Sequence, residues 1–209
     1  MGADGSTRTP SRTDDLVWYV SYGSNMSSER LRHYLEGGRP AGATRTYDGA
    51  RDPTPPRRRR GVQLGGTVYF ARHSSVWDGG VAFYDPDTVG GAVGRAHLVT
   101  VGQFSDIAHQ ERGGESGSDL DLHQLLASGR SRIGSGWYDT LVLTGWSDDR
   151  PMITLTGSAG IAAASLNAPG EAYLRTIVAG LAEGHGWGPD RIGRYLAAVP
   201  GHPDGSDDG

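Results

Sequence analysis

The residues with the greatest potential for chemistry include a short polar turn near the start of the chain. It follows the apolar stretch LVWYVS, which has the composition of a buried strand, and Ser27 or Ser28 can cap a helix that begins just after it. Backbone N–H groups at a strand-to-helix junction can converge on an anion. A glycine in the turn would allow a ligand to approach the backbone closely. The sequence therefore predicts an anion-binding turn made of Tyr22, Gly23, Ser24 and Asn25.

Glu111 is the second candidate, because it ends a predicted helix from Gln103 to Glu111 and precedes a segment rich in Gly, Ser and Asp. A solvated glutamate has a pKa of about 4.3 and is a weak base at neutral pH. Desolvation in a closed pocket can raise a carboxyl pKa toward about 6 to 7, where one group can both accept and donate a proton. Without further support, a solvated carboxylate at a helix end is the more common interpretation of such a residue.

Several other mechanisms are excluded by residue type. The chain has no cysteine, and all 20 of its basic residues are arginine, which removes thiol nucleophiles, Schiff-base chemistry and a Walker lysine. Its seven histidines are scattered without an HExxH pair, and the His and Asp clusters of zinc-dependent deacetylases are not evident, so no metal site and no cofactor are expected. Ser24 lacks the second glycine of a nucleophile elbow. The arginine bias is typical of a GC-rich bacterial coding sequence.

The composition favours one domain that acts on small molecules. The chain has 209 residues, of which 36% are hydrophobic, and a net charge of -4 that gives no overall attraction for nucleic acid. The arginines at 57–60 are expected in a solvated loop spanning Tyr47 to Gly61. No apolar run is long enough for a membrane span, and a cytoplasmic protein is expected. We predict disordered tails over residues 1–14 and 201–209, and a domain over residues 15–200.

The order of the predicted elements indicates an α+β fold. Short strands dominate the middle of the chain, where glycines mark the turns, and the segment from Asn167 to Gly170 precedes two closing helices. The second of these helices begins at Pro189, which is tolerated in a first turn. Trp77 and Trp137 could line a pocket or belong to the core.

Six motifs in one order along the chain resemble those of the γ-glutamylcyclotransferase family. They cover the chain from about Leu16 to Val199. In order, they are the Tyr-Gly-Ser-Asn-Met turn with Arg30 after it, Asp78 to Ala82, Val93 to Ala96, Asp106 to Glu111, Gly136 to Tyr138, and Asn167 to Leu174. The chain departs from the glutathione-specific branch, whose turn has Leu-Trp after the serine, and the butirosin-type deprotecting enzymes are a nearer functional analogy.

This resemblance implies a small mixed β-barrel with flanking helices and a cofactor-independent enzyme. It implies that Glu111 is catalytic and that Gly80, Tyr138 and Tyr173 join the turn in binding a γ-glutamyl amide, which is cleaved to 5-oxoproline and a free amine. The alternatives are a non-catalytic binding module and a γ-glutamyl hydrolase or acyltransferase that uses the same pocket. The leaving amine and the oligomeric state stay open, with a homodimer as one alternative; no nucleic acid or membrane partner is expected.

Overall fold

The computed structural model describes residues 10, 12–40 and 46–203, which form an α+β fold. Its helices are α1 (Ser28–Glu36), α2 (Val101–Glu111), α3 (His123–Ser128), α4 (Glu171–His185) and α5 (Pro189–Ala197). Its strands are β1 (Leu16–Ser21), β2 (Arg58–Gln63), β3 (Thr67–Ser74), β4 (Gly79–Asp85), β5 (Val93–Thr100), β6 (Arg130–Arg132), β7 (Thr140–Ser147) and β8 (Arg150–Thr156).

Six of the strands form one open sheet in the order β2-β5-β1-β8-β7-β6, and β3 and β4 form a separate hairpin. Strand β1 pairs antiparallel with β5 and parallel with β8, which places the polar turn at the end of an inner strand. The expected barrel is not formed, because the sheet is not closed and β2 and β6 remain at its opposite edges.

Side chains, rather than a backbone ladder, connect β4 to the large sheet. The Tyr84 N–H donates to Thr156 Oγ1 over 3.0 Å, and the Thr156 hydroxyl donates to the Tyr84 carbonyl over 2.6 Å. A barrel needs continuous backbone pairing around its circumference. At Tyr84 the hydroxyl of Thr156 therefore takes the hydrogen bonds that a neighbouring strand would otherwise make, and β4 joins no backbone ladder of the large sheet.

Two apolar clusters cover the two faces of β1, since successive side chains of a strand point in opposite directions. Trp18 and Val20 belong to the cluster beneath α4, and Val17 and Tyr19 belong to the one beneath α1 and α2. All four are buried. Burial on both faces fixes the register of β1 and therefore the position of the turn that follows it.

The predicted arginine loop is in part a strand, because β2 begins at Arg58 and pairs with β5 at the edge of the sheet. The guanidinium carbons of Arg58 and Arg60 lie 5.6 and 4.6 Å from the ring centre of Trp18, so their stems cover a fully buried indole. Charged residues are common on edge strands, where they discourage pairing with other chains.

The predicted tails lie mostly outside the described residues, which begin with Pro10 and end with Pro203. Within the N-terminal one, Thr13 donates to Asp119 over 2.5 Å, and its carbonyl accepts from the Gly102 N–H over 2.9 Å. These contacts attach residue 13 to the start of α2 and to the segment before α3. None of the helices in the described part of the chain is both long and apolar enough to cross a membrane.

Candidate active site

A pocket of about 190 Å³ lies where the end of β1, the tip of the β3–β4 hairpin and the end of α2 meet. It contains Glu111 together with six of the residues that the sequence singles out, namely Tyr22, Gly23, Ser24, Asn25, Tyr138 and Tyr173. These residues come from positions up to 151 residues apart in the chain, so the fold has gathered the predicted motifs at one place.

Gly80 is the exception, because it does not line this pocket. Its N–H donates to the Ala168 carbonyl over 2.7 Å, and a Cβ atom there would lie 2.0 Å from the Asn167 carbonyl oxygen. The glycine thus allows β4 to pack tightly against the segment before α4. Its neighbours Val81 and Ala82 reach the pocket instead.

The Glu111 carboxylate is held by the turn. Asn25 Nδ2 donates to Glu111 Oε1 over 2.6 Å and to the Tyr19 hydroxyl over 3.1 Å, and only 2% of Asn25 is exposed. A short N–H···O contact to a carboxylate is a charge-assisted hydrogen bond and fixes the direction of the carboxyl group. The Tyr-Gly-Ser-Asn turn and the catalytic candidate are therefore one hydrogen-bonded unit.

Helix α2 is held at its start, its middle and its last turn, which sets the position of Glu111. At its start, Thr100 and Gln103 form a capping box. At its middle, the fully buried Asp106 accepts hydrogen bonds from the Arg51 backbone over 2.9 Å and from the Arg51 Nε over 3.0 Å. Gln110 also donates to the Tyr34 carbonyl over 2.9 Å, which connects α2 to α1.

The hydroxyl of Tyr173, a residue that lines the pocket, lies beside the turn. Its oxygen accepts from the Ala82 N–H over 3.1 Å. Burial raises its pKa to about 12, and the backbone amides of Ala82 and Ser24, which face its oxygen, limit that rise. Because backbone donors occupy the oxygen, the hydroxyl proton can be directed to a ligand.

The other two predicted tyrosines use their protons within the protein. Tyr138 donates to the Ala82 carbonyl over 2.8 Å, and Tyr22 donates to the Leu155 carbonyl over 2.6 Å. Burial raises the pKa of both well above its usual value. Their rings are walls of the pocket, and the ring of Tyr138 is stacked on Phe83.

The turn itself is a single 3₁₀ turn over Ser24–Met26, connected to α4 by an ion pair. Arg95 donates to the Met26 carbonyl over 2.7 Å and to Glu183 over 2.6 Å. A Cβ atom on Gly23 would lie 2.9 Å from the Tyr173 hydroxyl oxygen. Glycine at this position therefore allows Tyr173 to approach the turn.

Sequence reasoning missed the basic side of the pocket. Arg30, Tyr34 and Tyr47 line it as a group, and the guanidinium carbon of Arg30 lies 5.1 and 4.6 Å from the two ring centres. Arg30 belongs to the motif that follows the turn, and this was a usable signal. Tyr34 and Tyr47 carry no motif, so only the fold reveals them.

Trp77 and Trp137 both line the pocket, and Trp77 is also packed against the apolar cluster beneath α4, so it is both pocket wall and core. The ring of Trp77, at the tip of the β3–β4 hairpin, lies 5.1 Å from that of Tyr173. Within the part of the chain that the structure describes, no group of three His, Asp or Glu side chains is placed to hold a metal ion.

Comparison with known proteins supports the fold more than the activity. No protein-family model matches the chain. It is 29% identical over 207 residues to Histone deacetylase 5 of Arabidopsis thaliana, in a match that covers 90% of this chain and 31% of that protein. The chain thus spans about a third of the length of this relative.

Two solved structures share the architecture. One, a gamma-glutamyl cyclotransferase, matches 89% of both chains with a TM-score of 0.52 at 14% identity. The other, an uncharacterised protein from Homo sapiens, matches 90% of both chains with a TM-score of 0.53 at 14% identity. The chain therefore has a γ-glutamylcyclotransferase-like fold.

Proposed function

We propose that this protein is a γ-glutamyl cyclotransferase, which cleaves a γ-glutamyl amide to 5-oxoproline and a free amine without a cofactor. The observation that carries the proposal is the 2.6 Å hydrogen bond between Asn25 and Glu111 inside the pocket. This bond joins an oriented carboxylate to the turn that would hold the substrate. Ring closure between the α-amine and the γ-carbonyl of one bound molecule requires such a fixed arrangement of base and substrate.

The chemistry needs orientation and one proton carrier. The substrate's α-amine is mostly protonated at neutral pH, since an α-amino group in water has a pKa of about 8. Glu111 takes one proton from the α-ammonium group, and the neutral amine nitrogen attacks the γ-carbonyl carbon, so that a five-membered ring closes. Glu111 gives this proton to the leaving nitrogen as the carbon–nitrogen bond breaks and its electron pair departs with the amine. The ring nitrogen then loses its extra proton to the Glu111 carboxylate, which passes it to solvent, and neutral 5-oxoproline remains. Well-oriented intramolecular attacks reach effective molarities on the order of 10⁵ M or more.

The remaining pocket residues have roles that follow from their hydrogen bonds. The Tyr173 hydroxyl donates to no acceptor among the described residues, and its proton can stabilise the oxyanion that forms on the γ-carbonyl oxygen. We propose that the backbone of Tyr22, Gly23 and Ser24 binds the α-carbon end of the substrate's glutamyl group. The rings of Tyr138 and Trp77 would enclose the side chain of that glutamyl group. We propose a γ-glutamyl amine or a γ-glutamyl-protected biosynthetic intermediate as substrate.

Two alternatives use the same pocket. A non-catalytic module would bind γ-glutamyl compounds without changing them, and a hydrolase would release glutamate instead of 5-oxoproline. The fixed direction of the Glu111 carboxylate favours catalysis over simple binding. Among the described residues that line the pocket, Glu111 is the single carboxylate, and no side chain forms a nucleophile with an activating base beside it. This favours ring closure by the substrate's own amine.

The test is product analysis of a panel of γ-glutamyl amides by mass spectrometry. We expect 5-oxoproline from the wild type, and a turnover at least about 10² lower for Glu111→Gln, the usual scale for a lost general base. Glu115→Gln, an exposed glutamate four residues away, is the matched control and should keep wild-type turnover. Release of glutamate, or unchanged turnover in Glu111→Gln, would refute the proposal.

A further inference from the structure

Arg30 is a buried cation without an ion-pair partner among the described residues. Only 7% of the residue is exposed, and its side chain lines the pocket from the first turn of α1. One amino group, Nη2, donates to the hydroxyls of Tyr34, over 3.3 Å, and of Tyr47. The Nε atom is buried without a hydrogen-bond partner, and no carboxylate oxygen in the described part of the chain lies within 4 Å of the guanidinium.

Such an arrangement is costly for a purely structural residue, since removing an unpaired charge from water costs several kcal/mol. Cation–π contacts offset only part of this desolvation cost. They involve the rings of Tyr34, Tyr47 and Trp77, whose centres lie 4.6 to 5.1 Å from the guanidinium carbon. Arg95 shows the structural alternative, because it is equally buried but forms an ion pair with Glu183 at 2.6 Å. Arg30 has no such directly paired carboxylate among the described residues, and the Glu111 charge of the same pocket acts on it only at longer range.

The charges of the pocket match one end of an amino acid. Of the described residues that line it, Arg30 is the only cation and Glu111 the only carboxylate. A γ-glutamyl compound presents an ammonium group and at least one carboxylate, and an arginine fork is well suited to a carboxylate.

We propose, building on the cyclotransferase function, that Arg30 is the specificity-determining residue that binds a carboxylate of the substrate. The substrate class is then a γ-glutamyl amide that places this carboxylate among Arg30, Tyr34 and Tyr47. The carboxylate can be the α-carboxylate of the glutamyl group or that of a leaving amino acid, and the two sources make different predictions.

Three ligands separate these sources. γ-Glutamylalanine has both carboxylates, γ-glutamylethylamine has only the α-carboxylate, and 4-aminobutyrylalanine has only that of the leaving group. Their affinities are measured by calorimetry on Glu111→Gln, with and without Arg30→Gln, so that no turnover is required. Loss of a charge-assisted hydrogen bond should weaken binding by about 10- to 150-fold for ligands with the recognised carboxylate, and by less than about threefold for the other.

The pattern of affinity losses shows which carboxylate Arg30 binds. A large loss of affinity for γ-glutamylalanine and γ-glutamylethylamine identifies the α-carboxylate. A large loss for γ-glutamylalanine and 4-aminobutyrylalanine identifies the carboxylate of the leaving group. An equal effect of Arg30→Gln on all three ligands would overturn the inference. So would the absence of measurable binding of all three to the parent protein.

Folding controls keep the test decisive. Arg60→Gln is the matched control, because Arg60 also stacks on an aromatic ring at 4.6 Å with a buried, unpartnered Nε but lies outside the pocket. It should change no affinity. If Arg30→Gln does not fold, Arg30→Lys keeps the charge and should show a smaller loss for the same ligands, whereas a uniform loss would contradict the proposal. If the wild type binds these ligands through Arg30 but forms no 5-oxoproline, only the proposed reaction fails.

Discussion

Replacing Asn25 with leucine should separate activity from stability. The change removes the donor to Glu111 Oε1, a 2.6 Å contact, while keeping a similar volume at a site that is 2% exposed. A hydrogen bond to a charged group contributes about 1.5 to 3 kcal/mol. If this contribution is made in the transition state, kcat/KM should fall by about 10- to 150-fold.

The same substitution should have a small effect on the melting temperature. Asn25 Oδ1 is buried without a partner in the described structure, and a buried unsatisfied polar atom costs about 1 to 3 kcal/mol. Removing it offsets the loss of the bond to the Tyr19 hydroxyl. We expect a shift within a few degrees, since 1 kcal/mol corresponds to roughly 2 to 4 °C for a chain of this size.

The assay is 5-oxoproline release at several substrate concentrations, together with thermal unfolding followed by circular dichroism. Asn167→Leu is the control, because Asn167 is the chain's only other asparagine and donates to the Arg72 carbonyl outside the pocket. Its activity should be unchanged. Wild-type kcat/KM in folded Asn25→Leu would show that the hydrogen bond does not orient a working base.

Three further predictions address the supporting residues. Gly23→Val places a side chain against the Tyr173 hydroxyl and should lower kcat/KM by about tenfold or more, but much less in a Tyr173→Phe background; equal losses in both would contradict the contact. Burial lowers the pKa of His97 to about 3, so the unfolded chain binds one more proton from there up to about pH 6.5. Urea unfolding should therefore show stability rising with pH in this window by up to about 1.4 kcal/mol per unit, and less in His97→Leu. Burial opposes ionisation of Glu183, but hydrogen bonds from Ser28 and Arg95 lower its pKa overall. The contribution of Glu183 to folding stability, under about 1 kcal/mol for this partly exposed group, is therefore present above about pH 4.5 and lost below it. Stability in Glu183→Gln should lack this part of the acid sensitivity.

Local sequence signals predicted most of the elements that frame the pocket. The apolar run before the turn gives β1, Ser27 caps α1, and Pro189 opens α5, as expected. These features depend on neighbours in the sequence, such as a cap within three residues of the helix it begins.

The failures involve contacts between distant segments. The arginine run at 57–60 is exposed over Arg57 to Arg59, as expected, but it is not a loop, because from Arg58 onward it pairs with β5 as an edge strand and Arg60 covers Trp18. Closure of the barrel was expected from the family resemblance, but Thr156 replaces the backbone ladder beside Tyr84. Neither partner lies close to the affected residue in sequence, so no local pattern reports the interaction.

The predicted site was incomplete for a related reason. Motifs identify residues one by one, and they placed Gly80 at the pocket although its backbone packs against the segment before α4. They gave no indication that Arg30 would be buried among tyrosines rather than beside a carboxylate, because this depends on which side chains α1, the hairpin tip and Tyr47 bring together.

The dependence of the site on distant contacts also limits what a preserved motif can show. Asn25 and Glu111 are 86 positions apart, and their contact depends on α2 being held by Asp106 and on the turn being held by Arg95. A chain that kept the turn and the glutamate but lost either support would keep both motifs and lose their geometry. Because a misplacement of about 1 Å can cost on the order of 10² in rate, activity in chains of this fold should follow the intact Asn25–Glu111 contact more closely than the presence of either motif.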